Sequence, residues 1–112
     1  MEILYLMIKN PVILISLVAL IIFKIFPPKS INSWYGYRTI KSMKSDQKWS
    51  FAQNYSANIG LVVVVLALLI QLSLYLILGK KSLTDLLTLG VWLLSMGFII
   101  FKTERKLSQF DD

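Results

Sequence analysis

The sequence predicts an all-α membrane protein with three transmembrane helices and a basic, aromatic loop between the first and the second. One reason is that 56% of the 112 residues are hydrophobic and that they fall in long blocks. A helix that crosses a bilayer needs about 17–25 mostly apolar residues, and three blocks reach or approach that length. A second reason is that the charged residues lie between these blocks, which favours a single membrane domain over residues 1–112.

The composition argues against catalytic and metal chemistry. The sequence contains no Cys and no His, which removes disulfides, thiolates and the ligands of most transition-metal sites. No pair of acidic residues has a helical spacing inside a span, and the Ser, Thr, Tyr and Lys side chains have no evident base. We therefore expect no enzymatic activity, no cofactor and no metal. The net charge of +6 lies in flanks and loops, which indicates contact with membrane lipids and not with nucleic acid.

The first apolar block runs from about residue 3 to residue 26. Lys9, Asn10 and Pro11 interrupt it, so the helix either starts early and kinks at the proline or starts there, where proline is well tolerated. The second alternative leaves about 16 residues, which is short for a span, and we favour the early start. The sequence around Met1 lacks the positive charge of a signal peptide, so we expect the span to be retained.

The second helix is expected to begin inside the polar loop. Ser45 or Asp46 is the candidate N-cap, and the apolar span covers residues 57–78. On a helical wheel, a row of small residues below Trp49 falls within a sector of about 100°. Small residues let helices approach closely in lipid, so this sector is the predicted packing face. Its members are Ala52, Ser56, Gly60, Ala67 and Gln71.

The third span covers residues 83–101 and follows a turn at Gly79, a suitable helix C-cap. Gly90 and Gly97 are seven residues apart and share a helix face, which predicts a second packing seam. The tail from Lys102 to Asp112 is of mixed charge, and we expect it to be short and mobile.

The distribution of lysine and arginine predicts the topology. Three spans place the loop and the C-terminus on one side, together with nine of the 12 basic residues. These nine are Lys24, Lys29, Arg38, Lys41, Lys44, Lys48, Lys102, Arg105 and Lys106. Because basic loops remain in the cytoplasm, we expect the loop and the C-terminus to be cytoplasmic and the N-terminus to lie outside.

The loop, taken as residues 27–51, carries a G-Y-R-T-x-x-S pattern and, seven residues after its serine, a tryptophan. The candidate contacts for a partner or for lipid are Asn32, Gly36, Tyr37, Arg38, Thr39, Ser42 and Trp49. Two interpretations of Arg38 stay open. It either reaches a lipid phosphate, as many interfacial arginines do, or clamps a carboxylate, phosphate or backbone group of a partner. The aromatic residues either form an interfacial belt or contact the partner.

With this loop between two spans, the chain resembles the SdpI family of small bacterial membrane proteins. The resembling run also includes Pro28, Lys29, Met43, Ala52 and Asn54. The resemblance implies a multi-pass protein of the bacterial plasma (inner) membrane that acts in immunity or signalling. In that family the namesake protects a producing cell from a membrane-active toxin and draws a transcriptional repressor to the membrane. A cytoplasmic regulator or a toxin is therefore an expected partner.

The alternative function is that of a structural accessory subunit in a larger membrane protein complex. Three helices in 112 residues bury little surface against one another, so another membrane protein or a homo-oligomer is expected to cover the rest. The small-residue seams fit that role as well as they fit packing within the chain.

Overall fold

The computed structural model describes residues 4–5 and 9–109. The helices whose bounds are given within these residues are α1 (Val12–Ile25), α2 (Asp46–Leu78) and α3 (Ser82–Ser108). They form an elongated bundle whose principal extents are 50 × 24 × 20 Å. Helix α2 lies in the middle, with α1 and α3 packed against it and touching each other much less.

The chain is helical before Pro11, at residues 4–5 and 9, and helix α1 follows the proline. It begins at Val12, and Pro11 occupies the N-cap with its carbonyl accepting from the backbone N–H of Ile15 at 2.8 Å. A bend at Asn10 precedes the proline. Residues 3 and 6–8 of the predicted block lie outside the described residues. With 14 residues, α1 is about 21 Å long, less than the roughly 30 Å of a bilayer core.

Helices α2 and α3 are both long and apolar enough to cross a membrane. Ser45 caps α2, because its hydroxyl accepts from the backbone N–H of Lys48 at 3.1 Å. Gly79 ends the helix with a φ of 77°, a left-handed conformation that glycine adopts without strain. The 33 residues of α2 span about 50 Å, so its N-terminal turns extend beyond the bilayer core and support the loop.

The predicted face of α2 is buried at the centre of the bundle. Ala52, Ser56, Gly60, Ala67 and Gln71 are all buried. A Cβ at Gly60 would lie 2.9 Å from Leu20 Cδ2, so the glycine lets α1 approach closely. The Gln71 amide donates to the carbonyl of Asn10 at 3.2 Å, which ties the start of α1 to α2. Ile13, Val64, Ala67 and Ile99 form the apolar core.

Helix α3 packs through a different face from the one predicted. No described neighbour lies within 4 Å of a Cβ built at Gly90 or Gly97, so the two glycines form no seam with the described helices. They stand about 200° around the helix from Thr88 and Ser95, which point inward. The buried face consists of Thr84, Thr88, Ser95, Ile99, Thr103 and Leu107. The hydroxyls of Thr88, Ser95 and Thr103 donate to carbonyls of their own helix, and that of Thr84 donates to the carbonyl of Gly79 just before it, so all four buried donors of this face have an acceptor.

Helix α3 also continues beyond the predicted span. The expected mobile tail is wrong for residues 102–108, because the helix runs to Ser108 and buries Thr103 and Leu107. Residues 110–112 lie outside the described part of the chain. The added turns place the end of α3 beside the loop.

Candidate functional site

The connecting loop (residues 26–45) is fixed first where it leaves α1. Trp49, only 1% exposed, donates from its indole Nε1 to the carbonyl of Pro28 at 2.9 Å. This bond joins the loop entrance to the first turn of α2. A buried indole N–H requires an acceptor, and the rigid Pro27–Pro28 segment supplies it.

A turn centred on Asn32 brings the chain back towards α1. The Asn32 carbonyl oxygen Oδ1 accepts from the backbone N–H groups of Trp34 at 3.0 Å and Tyr35 at 2.7 Å. This is the turn that Asx side chains stabilise. The Tyr35 hydroxyl donates to the carbonyl of Phe26 at 2.6 Å, and its ring meets Phe23 edge to face at 5.0 Å. The first half of the loop is thereby attached to the end of α1.

The Gly36–Tyr37 segment is paired with Gln53 of α2. The backbone N–H of Tyr37 donates to Gln53 Oε1, and Gln53 Nε2 donates to the Tyr37 carbonyl, both at 2.7 Å. Gly36 has a φ of 107°, and a Cβ there would lie 2.6 Å from both Gln53 Oε1 and Pro28 Cγ. The motif therefore requires glycine at this position for conformation and for space.

The Thr39–Ser42 segment forms a closed turn. The Ser42 hydroxyl, fully buried, accepts from the backbone N–H of Thr39 at 2.8 Å. It lies within donating distance of the carbonyls of Tyr37 and Thr39, at 3.1 and 3.0 Å. The backbone N–H of Ser42 donates in return to Thr39 Oγ1 at 3.2 Å. These contacts fix the backbone of the turn, and with it the direction of residues 40 and 41 between Thr39 and Ser42.

Glu104 of α3 binds two hydroxyl groups of this motif. Its Oε2 accepts from the Tyr37 hydroxyl and from the Thr39 hydroxyl, each at 2.8 Å. Burial, and then the hydrogen bond and negative charge of Glu104, raise the pKa of the Tyr37 phenol well above its usual value. We call Tyr37, Thr39 and Glu104 together the Glu104 cluster. Lys41 also contacts the hydroxyl of Ser108, so the loop and the C-terminal end of α3 lie at the same end of the bundle.

Arg38 stands between the two hydroxyl residues that Glu104 holds, yet its own side chain is exposed. Within residues 4–5 and 9–109, the structure records no hydrogen bond or ion pair for its guanidinium. The most exposed apolar side chains of the same loop are Trp34 at 79% and Ile40 at 84%. The structure thus separates the predicted motif into residues that hold the loop and an arginine that the loop presents.

Two residues of the site, Gln53 and Glu104, are absent from the sequence-based prediction. Gln53 lies four residues after Trp49 and seven before Gly60, so the helical wheel contained the signal for its inward position. Glu104 fell in the segment expected to be a mobile tail. The spacing of Ile99, Thr103 and Leu107 was the available sign that the helix continues there.

The exposed apolar surface of the long helices defines the class of protein. In the most apolar 18-residue stretch of each long helix, only 22% of α2 and 17% of α3 is buried within the chain. So much exposed apolar helix surface is suited to lipid and not to water, while the backbone bonds are satisfied within the helices. The fold is that of an α-helical membrane protein with a structured loop at one end.

The comparison with protein families identifies the chain more closely. The model of the SdpI/YfhL protein family matches residues 29–103, and the chain belongs to this family. The predicted family resemblance is thereby confirmed. The uncharacterized protein YfhL of Bacillus subtilis strain 168 is 43% identical over 67 residues, which cover 56% of this chain and 61% of that relative. The chain therefore matches less than two thirds of the relative's length. No solved structure matches it.

Proposed function

We propose that this protein is a non-enzymatic membrane protein that recruits a partner through the exposed side of the connecting loop, in immunity or signalling. The observation that supports this most directly is the position of Arg38. Its neighbours Tyr37 and Thr39 are both bonded to Glu104, while the guanidinium is exposed. A preorganised backbone reduces the conformational entropy that the loop loses on binding, and the planar fork of a guanidinium suits carboxylates and phosphates.

The charge of the loop indicates the chemistry of the partner. The segment 27–45 contains four basic residues and no acidic one. Trp34 and Ile40 supply exposed apolar surface beside them. Aromatic and arginine side chains are the usual centres of protein interfaces. The proposed partner therefore has an acidic surface with an apolar patch. By the excess of basic residues, we place the interaction on the cytoplasmic side of a bacterial inner membrane.

Site-specific photo-crosslinking in native membranes tests this proposal. A photoreactive residue replaces Ile40 on the loop or Leu83 at the opposite end of the bundle. We expect a discrete adduct from position 40 that is absent from position 83 and is lost when Arg38→Ala is added. The proposal is contradicted if both positions give the same adducts, or if the adduct of position 40 survives the loss of Arg38.

A second candidate function is that of an accessory subunit of a larger membrane protein complex. The exposed face of α3 favours it, because Gly90 and Gly97 have no described neighbour within 4 Å and leave room for another helix. Purification in mild detergent distinguishes the two functions. An accessory subunit should co-purify stoichiometrically with larger membrane proteins, lose them through Gly97→Leu and keep them in Arg38→Ala. Partner recruitment by the loop predicts the opposite response to the two substitutions.

A further inference from the structure

We propose that a cleft beside the loop entrance binds the phosphate of an anionic lipid headgroup. The cleft has a volume of about 300 Å³ and lies between the end of α1, residues 27–29 and the N-terminal turns of α2. Its lining includes Phe23, Lys24, Lys29, Ser50, Asn54 and Ala57. It is separate from the exposed Arg38 surface, so the proposal does not depend on partner recruitment.

The polar side of the cleft is suited to an oxyanion. Lys24 and Lys29 supply two ammonium groups, Ser50 a hydroxyl and Asn54 an amide, and none of its lining residues is acidic. The Lys24 ammonium donates to Asn58 Oδ1 at 2.5 Å, which holds it at the edge of the cleft. An ammonium group has three protons, so two remain for a ligand. Charge-assisted bonds to phosphate oxygens are the strong contacts that such a set of donors forms.

The apolar side of the cleft indicates a lipid and not a free phosphate. Phe23 and Ala57 line it on the side of the helices. Adjacent parts of the helices expose apolar side chains, among them Ile22 at 45% and Val62 at 62%. A headgroup bound by the lysines would therefore have its acyl chains beside apolar helix surface. A volume of about 300 Å³ is at the lower end of ligand pockets, enough for a headgroup whose chains stay in the bilayer.

The test compares lipid retention by the full-length purified protein in native mass spectrometry. The probes are phosphatidylglycerol and phosphatidylcholine, which differ in net charge. The variant K24Q/K29Q removes both ammonium groups of the cleft, and R105Q/K106Q removes two exposed charges at the same end of the bundle. We expect phosphatidylglycerol to bind the wild type preferentially. Its affinity should fall roughly tenfold or more in K24Q/K29Q and no more than about twofold in R105Q/K106Q.

A second pair of variants leaves the charge unchanged. Ser50→Trp fills the cleft, whereas Gln47→Trp adds the same bulk on α2 outside it. We expect the preference for phosphatidylglycerol to be lost only in Ser50→Trp, which decides the matter even if the lysine variant fails to fold. If each cleft variant had the same effect as its control, the lipid would be attracted to basic surface in general and the proposed site would be contradicted. Displacement of the lipid by millimolar inorganic phosphate would instead identify a free phosphate as the ligand and contradict the proposal of a lipid.

Discussion

Gln53 and Tyr37 are joined by two hydrogen bonds of 2.7 Å, in which the side-chain amide of one pairs with the backbone of the other. The arrangement resembles a strand pairing in which a side chain takes the place of a second strand. Gln53 is 6% exposed, so its side-chain amide has little access to water as a substitute partner. The position of the whole G-Y-R-T segment on α2 therefore depends on this amide.

Replacing Gln53 by leucine should destabilise the loop. Leucine keeps the volume but leaves the Tyr37 N–H without its acceptor and the Tyr37 carbonyl with only the Ser42 hydroxyl, and a buried group that loses its partner costs about 1–3 kcal/mol. Limited proteolysis within residues 37–44 should become faster by an order of magnitude or more. Gln47→Leu, an exposed position on the same helix, is the control and should change little. Equal protection of the two variants would contradict the role of Gln53.

Gly36→Ala should have a similar effect through sterics. The added Cβ would lie 2.6 Å from Gln53 Oε1 and from Pro28 Cγ, at a φ of 107° that alanine rarely adopts. Gly90→Ala is the matched control, since its Cβ meets no described atom within 4 Å and alanine favours a helix by about 1 kcal/mol. Thermal unfolding in detergent should show a lower Tm for Gly36→Ala and an equal or higher one for Gly90→Ala. The same Tm for both would disprove the close packing at Gly36.

The contact between Tyr37 and Glu104 can be measured by a double-mutant cycle. Tyr37→Phe and Glu104→Ala should each destabilise the protein, and the double variant should lose less than the sum, with a coupling of about 1 kcal/mol. Pairing Tyr37→Phe with Arg105→Ala, which alters an exposed neighbour of Glu104, should be additive. Additivity in both cycles would mean that the hydrogen bond contributes nothing to stability.

The same contact predicts a response to alkaline pH. Folding raises the pKa of Tyr37 above its ordinary value of 10.0, so the neutral phenol stabilises the fold below that pH. The stabilisation is lost as the pH rises above 10, since the unfolded chain then releases the proton first. The stability difference between wild type and Tyr37→Phe should therefore narrow between about pH 10 and 12. A constant difference over this range would contradict the shift.

Arg38→Ala should separate function from stability. The guanidinium is exposed and has no recorded partner among the described residues, so its loss should change the free energy of unfolding by no more than about 0.5 kcal/mol. Membrane insertion should be normal, while the crosslink from position 40 disappears. Arg38→Lys should restore only part of it, because an ammonium lacks the bidentate geometry. A large fall in Tm for Arg38→Ala would show instead that the arginine supports the fold.

The sequence by itself determined the features that depend on short-range patterns. Apolar blocks indicated the helices, Ser45 and Gly79 marked the ends of α2, and the wheel placed Ala52 to Gln71 on one face. The G-Y-R-T-x-x-S pattern led to the correct family. All of these follow from spacing within one helix or one loop.

Only the tertiary structure decided which of these features meet. Tyr37 and Glu104 are 67 residues apart, and nothing local to either predicts that one carboxylate serves both Tyr37 and Thr39. Gly90 and Gly97 share a face of α3 and so indicate a seam, but the inward face of α3 is set by its contact with α2. Pairing between distant faces depends on the packing of the whole bundle, and periodicity along one helix does not contain it.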